Sequence, residues 1–280
     1  IILFENVKGF TYAFDKKKNG DAIPYSQKVI KGLKGLGYNV KPHIIDFSKY
    51  GVPQRRNRFI LVGVQKSIGT PDKFKSMLDS YKDSFLQKKG LTVNTTLREA
   101  ISDLLQSNGE IPTPDRKGFK SGIYGIEESN YQKLLRGDYT ESHIVPDSHS
   151  FAKHTEEKSI CYKNLLANYE IRGKRIDGDA RKKWNVKQRS ITILDPNTIS
   201  PTITGHPDDY LHYCEPRIMT VRECARIQSF PDWYEIKKKY TTGGKMRKIE
   251  VPRYTQVGNA IPPLFAELAG FVLKQIIKYD

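Results

Sequence analysis

The stretch GYNVKPHIIDFSKYGVPQRRNRFILVGV, residues 37–64, holds two β-rich runs, YNVKPHIID and RFILVGV, separated by KYGVPQRRN. Runs rich in Val, Ile and aromatic residues, bounded by Gly, Pro and polar clusters, predict a pair of strands with a long loop between them. Just upstream, SQKVIKGLKGL places Val29, Ile30, Leu33 and Leu36 on one helical face, and Gly37 closes that helix. Earlier still, IILFENVKGF (residues 1–10) runs from apolar residues straight into Glu5. This looks like the end of a buried strand handing a carboxylate to a cleft. Taken alone, Glu-Asn-Val also reads as an edge strand followed by a solvated turn. Strand, helix, strand and strand in succession predict an α/β arrangement over residues 1–66.

A chain of 280 residues, 28% charged and 38% hydrophobic, has room for one large or two ordinary globular domains with a substantial core. No apolar run approaches the roughly 18–20 residues that span a bilayer. Glu5 and Lys8 interrupt the opening apolar stretch before any secretory cleavage-like site. The three cysteines, Cys161, Cys214 and Cys224, form no C-x-x-C, which argues against a disulfide framework or a cysteine-rich zinc site. His143, His149 and His154 lie near one another without metal-ligand spacing and read as surface or structural residues.

The net charge of +16 favours a polyanionic partner. Lys16, Lys17 and Lys18 are accounted for as a solubilising run. The Arg-rich clusters PQRRNR (53–58) and RGKRIDGDARKKWNVKQR (172–189) fit nucleic acid better, because a guanidinium suits two-point contact with phosphates and base edges.

Residues 70–215 are loop-rich, with a helix expected at LREAISDLL and no internal repeat. Towards the end, TVRECARIQSF begins at a Thr-x-x-Glu capping box, Thr220 to Glu223. PPLFAELAGFVLKQIIK then starts a helix at Pro262–Pro263 and lines up Leu264, Leu268, Val272 and Ile276 as an apolar stripe.

Four stretches in order, FENVKGF, GVPQRRNRFILVGV, RIMTVRECARIQSFPDWY and YTQVGNAIPP, closely resemble motifs VI, VIII, IX and X in the second half of a cytosine-5 DNA methyltransferase. TLREAISDL and SPTITG fit the bacterial branch of that family. Each motif is weak alone; four in register, with a long variable insert in the expected place, are not. In this family a Gly-rich cofactor turn and a Pro-Cys nucleophile loop precede the Glu-Asn-Val strand. Here no F-x-G-x-G lies near a strand and no cysteine follows a proline. The resemblance therefore implies a carboxy-terminal half, completed by the N-terminal half either upstream in the same chain or as a separate subunit.

The implied fold is α/β: an incomplete Rossmann-like, S-adenosyl-methionine-dependent methyltransferase domain with a second, loop-rich target recognition domain. Its expected divisions are residues 1–70 (catalytic, motifs VI to VIII), 71–245 (recognition, with motif IX) and 246–280 (motif X and the helix returning to the catalytic domain). The implied activity is methyl transfer to C5 of a flipped cytosine in a specific duplex site, within a bacterial restriction-modification system in the cytoplasm. A non-catalytic DNA-binding module and an RNA cytosine methyltransferase are the alternative readings.

Cytosine C5 is a poor nucleophile, so the family adds a thiolate to C6, and negative charge builds toward N3 and O2. By the resemblance, Glu5 serves N3 with Asn6 supporting the turn, Arg58 serves O2, and Arg56 is a second cation near the base. Arg55 reads as a solvated strand-edge arginine. Asn259 and the Ala260 backbone are the implied cofactor contacts. Thr202, Ile203 and Thr204 match the family's backbone-contact motif. Phosphate binding falls to the basic stretch with Arg172, Arg175, Arg181, Lys182 and Arg189, with Gln188 and those arginines also candidates for base reading by residue type. Arg217 is expected at the DNA backbone, Arg222 in a structural ion pair, and Cys224 as a small buried residue.

Overall fold

A computed structural model describes residues 1–13, 23–242, 246 and 249–279; the Lys16–Lys18 run lies outside the described residues. The chain divides into two compact units. The first comprises residues 1–51, 55–93 and 263–280, and the second residues 52–54 and 94–262.

In the first unit, β1 (Ile2–Val7), β2 (Tyr38–Asp46) and β3 (Asn57–Gln65) form a sheet in the order β1-β3-β2, antiparallel at both seams. The expected strand pair is β2 and β3. Central β3 buries Phe59 through Val64 without interruption, as a continuous apolar run requires when both faces are covered. α1 (Tyr25–Gly35) connects β1 to β2.

Part of the first unit's core comes from far along the chain. α9 (Pro263–Tyr279) packs on α2 (Phe74–Lys88), and Phe265 meets Phe47 and Tyr50 at ring-centroid distances of 4.3 and 5.4 Å. The predicted stripe Leu264, Leu268, Val272 and Ile276 is buried. Each of these side chains contributes roughly 1.5–3 kcal/mol. The stretch Arg253–Ile277 is, by length and composition, long and apolar enough to cross a membrane, which corrects the expectation that no apolar run approaches that length. Pro262–Pro263 divide it, and the stripe on its second part is buried in the first unit.

β1 departs from the expected buried strand. Its residues are half-buried, with Val7 exposed, and no strand pairs with its outer edge among the described residues. Phe4, Phe10, Phe59 and Tyr25 form a chain of ring contacts beside it. The helical face expected on α1 is likewise incompletely covered: Val29, Ile30 and Leu33 are half-buried and Leu36 is exposed.

The second unit contains α3 (Leu97–Ile101), the hairpin β4 (Glu110–Pro112) and β5 (Lys120–Gly122), α4 (Asn130–Arg136), α5 (Glu156–Asn168) and α6 (Gly178–Lys183). A small sheet orders β6 (Arg175–Ile176), β7 (Ile191–Ile193) and β8 (Tyr210–Leu211), and α7 (Val221–Ile227) and α8 (Arg253–Asn259) follow. One core gathers Tyr162, Leu165, Ile176, Val186, Ile191, Ile193, Leu211 and Ile218. The capping box at Thr220 and Glu223 forms as expected, and a second one opens α3 at Thr96 and Glu99.

The unit boundaries differ from the expected 70/71 and 245/246. α2 belongs with α9 because the two bury apolar faces on each other, which moves the first boundary to 93/94. α8 stays in the second unit because it packs on α7, moving the other to 262/263.

All seven residues of α7 are buried, charged ones included. Arg226 donates to Asp232 (2.6 Å) and Asp103 (3.1 Å), Arg222 to Asp147 (2.9 Å), and Arg217 to both oxygens of Glu223 (2.7 and 2.9 Å). Charges are tolerated there because each has a counter-charge and hydrogen bonds.

Candidate active site and nucleic-acid interface

In the first unit, pairing β1 with β3 sets Glu5 opposite Ile60 and Val7 opposite Arg58. Glu5 Oε1 lies 2.9 Å from Arg58 Nε, with side chains 15% and 12% exposed respectively. Arg56 is completely buried, whereas Arg55 is exposed. The Asn6 side chain accepts from the Val7 amide at 2.8 Å and so braces the turn.

Burial raises the Glu5 pKa above the ordinary carboxylate value, and Arg58 and Arg56 only partly oppose it. Burial also lowers Arg56 to about 10, with Arg58 adding repulsion and Glu5 opposing. The result is a carboxyl group that takes a proton more readily than a solvated glutamate, set beside two partly desolvated cations. Such a group can hold a proton at a ring nitrogen while a neighbouring guanidinium receives charge on an oxygen.

In the second unit, Thr202, Ile203 and Thr204 form a braced loop. The Ile203 amide donates to Gln54 Oε1 at 2.9 Å, and the Thr202 carbonyl accepts from the Tyr210 hydroxyl. Thr204 Oγ1 donates to Asp209 at 2.6 Å. Gln54 is not among the residues expected from sequence to act; its place directly before the arginine cluster is the one signal that points to it.

Gly258 of α8 sits against this loop. A Cβ there would meet the Thr204 carbonyl carbon at 2.7 Å and the Gly205 nitrogen at 2.8 Å, so only glycine allows the approach. The next residue, Asn259, is exposed at the end of α8 with Ala260 as its C-cap. An exposed amide beside a turning backbone fits a ligand needing both donors and acceptors, as S-adenosyl-methionine does.

The basic stretch separates into two groups. Arg172 donates to the Leu166 carbonyl, Arg181 to the Gln188 carbonyl, and Gln188 to the Tyr162 hydroxyl, so these three brace the unit. Trp184 packs on the core and meets Tyr169 edge-on. Arg175, Lys182 and Arg189 are exposed, with Arg175 3.7 Å from Asp177 and Lys182 3.2 Å from Asp179 in solvated ion pairs.

Arg217 corrects an expectation. It is buried against Glu215 and Glu223, and their charges raise its pKa against the effect of burial, so its guanidinium is not offered to DNA. Arg222 is the expected structural ion pair, and Cys224 is buried. Burial raises the pKa of Cys161, Cys214 and Cys224 alike, the opposite of an activated thiolate. His149 is buried between the Thr220 hydroxyl and the Leu104 carbonyl, a structural position.

A family model described as C-5 cytosine-specific DNA methylase matches residues 1–278. Type II methyltransferase M.Bpa9945I of Bacillus paralicheniformis is 28% identical over 300 residues, covering 98% of this chain and 60% of the relative. For M.XorII of Xanthomonas oryzae the values are 26% over 278 residues, 96% and 57%. M.AquIB of Picosynechococcus is 43% identical over 88 residues, which are 30% of this chain and 63% of that relative. The chain thus spans about 60% of the length of the curated relatives that match it from end to end. Among solved structures, a DNA modification methyltransferase encoded within an E. coli prophage superposes with a TM-score of 0.62 at 19% identity, over 99% of this chain and 69% of that one; the fold is shared.

Proposed function

Because the chain belongs to the C-5 cytosine-specific DNA methylase family, we propose that it carries the recognition unit and part of the catalytic pocket of an enzyme that methylates C5 of cytosine in duplex DNA. The observation that carries the reading is the half-buried Glu5–Arg58 pair on adjacent strands, with Arg56 fully buried two residues before Arg58. Duplex DNA hides C5 within the stack, so the cytosine must be flipped out to be reached.

As a thiolate adds to C6, electron density moves toward N3 and O2. Glu5, with its raised pKa, holds a proton at N3 and accepts from the 4-amino group. Arg58 meets the charge on O2 and fixes the ring's orientation. S-adenosyl-methionine supplies the methyl group when bound, and the Asn259 amide and Ala260 backbone are this chain's contribution to holding it. Thr202 to Thr204 contact the DNA backbone, while Arg175, Lys182 and Arg189 neutralise phosphates and set register.

The thiolate, the glycine turn and the strands neighbouring β1 come from the complementary part of the methyltransferase, joined covalently or as a separate subunit. The share of relatives that this chain spans and the outer edge of β1, which no strand pairs among the described residues, support that division. A restriction-modification setting follows from the Type II relatives. The test is tritiated methyl transfer to cytosine-containing duplex, with this chain and the complementary part assayed separately and then mixed. Activity only in the mixture is expected. Methylation by this chain alone would overturn the division of labour, and a mixture that binds both parts yet transfers nothing would overturn the enzymatic reading.

A further inference from the structure

We propose that Arg116, at the tip of the β4–β5 hairpin, is a specificity-determining residue that offers its guanidinium to a guanine edge of duplex DNA. The proposal rests on the reading of the second unit as a DNA-recognition unit. The tip, T-P-D-R-K-G-F (residues 113–119), is braced at its base, where the Thr113 amide donates to the Phe119 carbonyl (2.9 Å) and the Phe119 amide to the Arg116 carbonyl (3.1 Å). Asp115 fastens it sideways, accepting from the Tyr240 hydroxyl (3.0 Å) and from Arg253. Arg253 is itself held by the Lys238 carbonyl (2.7 Å) and Ser148 (2.9 Å).

On this rigid base the Arg116 guanidinium lies 3.5 Å from the Phe119 ring centroid and 5.0 Å from that of Tyr240. No hydrogen bond or ion pair to the described residues engages it, whereas Arg136, Arg217, Arg222, Arg226 and Arg253 are all bound to carboxylates. A stacked guanidinium keeps its edge donors free and has little rotamer freedom left to lose, which suits two-point contact with guanine O6 and N7. Lys117 is exposed beside it and Lys153 Nζ is 5.0 Å from the Phe119 ring, so point charges for phosphates flank the planar group.

Position adds a further argument. Tyr240, which carries Arg116 on its ring, also lines a cavity of about 310 Å³ with Gly205, His206, Pro207 and Asp208. That wall continues the Thr202–Thr204 loop assigned above to the DNA backbone. Arg116 therefore lies one aromatic ring away from that segment.

The experiment selects bound duplexes from a randomised pool with the full 280-residue chain, with Arg116→Ala and with Arg116→Lys, at two salt concentrations. Circular dichroism of each protein verifies folding. The parent is expected to enrich a site containing a fixed G·C pair. Both variants should lose about 5- to 150-fold of the preference at that pair while retaining preference elsewhere, since lysine keeps the charge and loses the fork. A uniform loss over all sequences, restored by lysine, would overturn the proposal in favour of a phosphate contact. Unchanged preference in a folded variant, or a parent that binds duplex without preference, would also overturn it. A parent that binds no duplex at all would overturn the recognition reading beneath it.

Discussion

Replacing Arg226 with methionine keeps most of the stem and removes the guanidinium from the most enclosed ion cluster in the second unit. Arg226 is fully buried, with Nε and Nη2 at 2.6 Å from the two Asp232 oxygens, Nη2 at 3.1 Å from Asp103, and Nη1 at 3.2 Å from the Ala100 carbonyl. Breaking a buried pair by removing one partner costs about 3–5 kcal/mol, because the other charge stays behind in low dielectric. Two carboxylates are left here, but neither is abandoned. Asp103 keeps Arg136 at 3.3 Å, and Asp232 keeps the Tyr124 hydroxyl at 2.7 Å and Arg222 at 3.7 Å. The expected loss is therefore at the lower end, about 3 kcal/mol, equivalent to roughly 6–12 °C for a unit of this size. Trp184 and Trp233 both belong to this unit, so urea unfolding followed by tryptophan fluorescence reports on it directly. The sign with pH is fixed as well. Without Arg226 the two carboxyls are raised in the folded state, so their cost is full at neutral pH and fades as pH falls toward 4. A loss under about 1 kcal/mol at pH 7, or one unchanged between pH 7 and pH 4.5, would refute the assignment of the penalty to stranded buried charge.

In the enzyme completed by its complementary part, Glu5→Gln should lower methyl transfer by roughly 10²–10⁴-fold with DNA binding retained; a Gln enzyme as fast as the parent would remove Glu5 from the chemistry. Gly258→Ala drives a methyl group into the Thr204–Gly205 backbone and should cost about 1–3 kcal/mol, read as a shift in the urea midpoint, and an unmoved midpoint would show that the backbone yields freely there. Burial holds His149 at about 4 and His212 at about 3, so the stability they give as neutral groups is complete above their ordinary 6.5 and lost as pH falls through the folded values. Burial would raise Glu223, but Arg217 outweighs it and leaves it at about 2, adding a second loss between 4.5 and 2; a midpoint flat from pH 7 to pH 3 would contradict both. Changing Arg175, Lys182 and Arg189 together to alanine should flatten the log–log salt dependence of duplex binding by roughly 0.9 for each phosphate no longer neutralised, and an identical slope would place DNA elsewhere.

Local signals in the sequence carried well. The alternation of apolar runs with Gly-Pro breaks located β2 and β3, and Thr220-x-x-Glu223 located α7, because strand burial and helix capping depend on neighbours a few residues away. The stripe on α9 was legible for the same reason, although its partner α2 was not, since nothing local links residues 74–88 to 263–279. Arg217 shows where residue type fails. An arginine before a DNA-family helix looks like a phosphate ligand, yet Glu215 and Glu223 claim it; both lie within six residues and could have been weighed. Gln188 looks like a nucleic-acid contact inside a basic run, but it bonds to Tyr162, a long-range interaction that spacing does not encode. Arg116 stood alone in a short hairpin, and only the folded positions of Phe119 and Tyr240 distinguish it from any surface arginine.

Three residues from the midst of the first unit's chain, Val52 to Gln54, belong to the second unit, where Gln54 forms a bridge with Ser200 and Pro53 accepts from the Ser200 amide. On the reading proposed above, the second unit is a part to exchange between relatives, since a new insert would retarget an unchanged catalyst. The natural graft, residues 94–262, would leave its own stitch behind. An incoming loop would find a foreign residue at position 54 where its Ile203 amide needs an acceptor. A chimera that carries the donor's residues 52–54 along with 94–262 restores that joint, so this tripeptide travels with the second unit although it lies outside that unit's main segment.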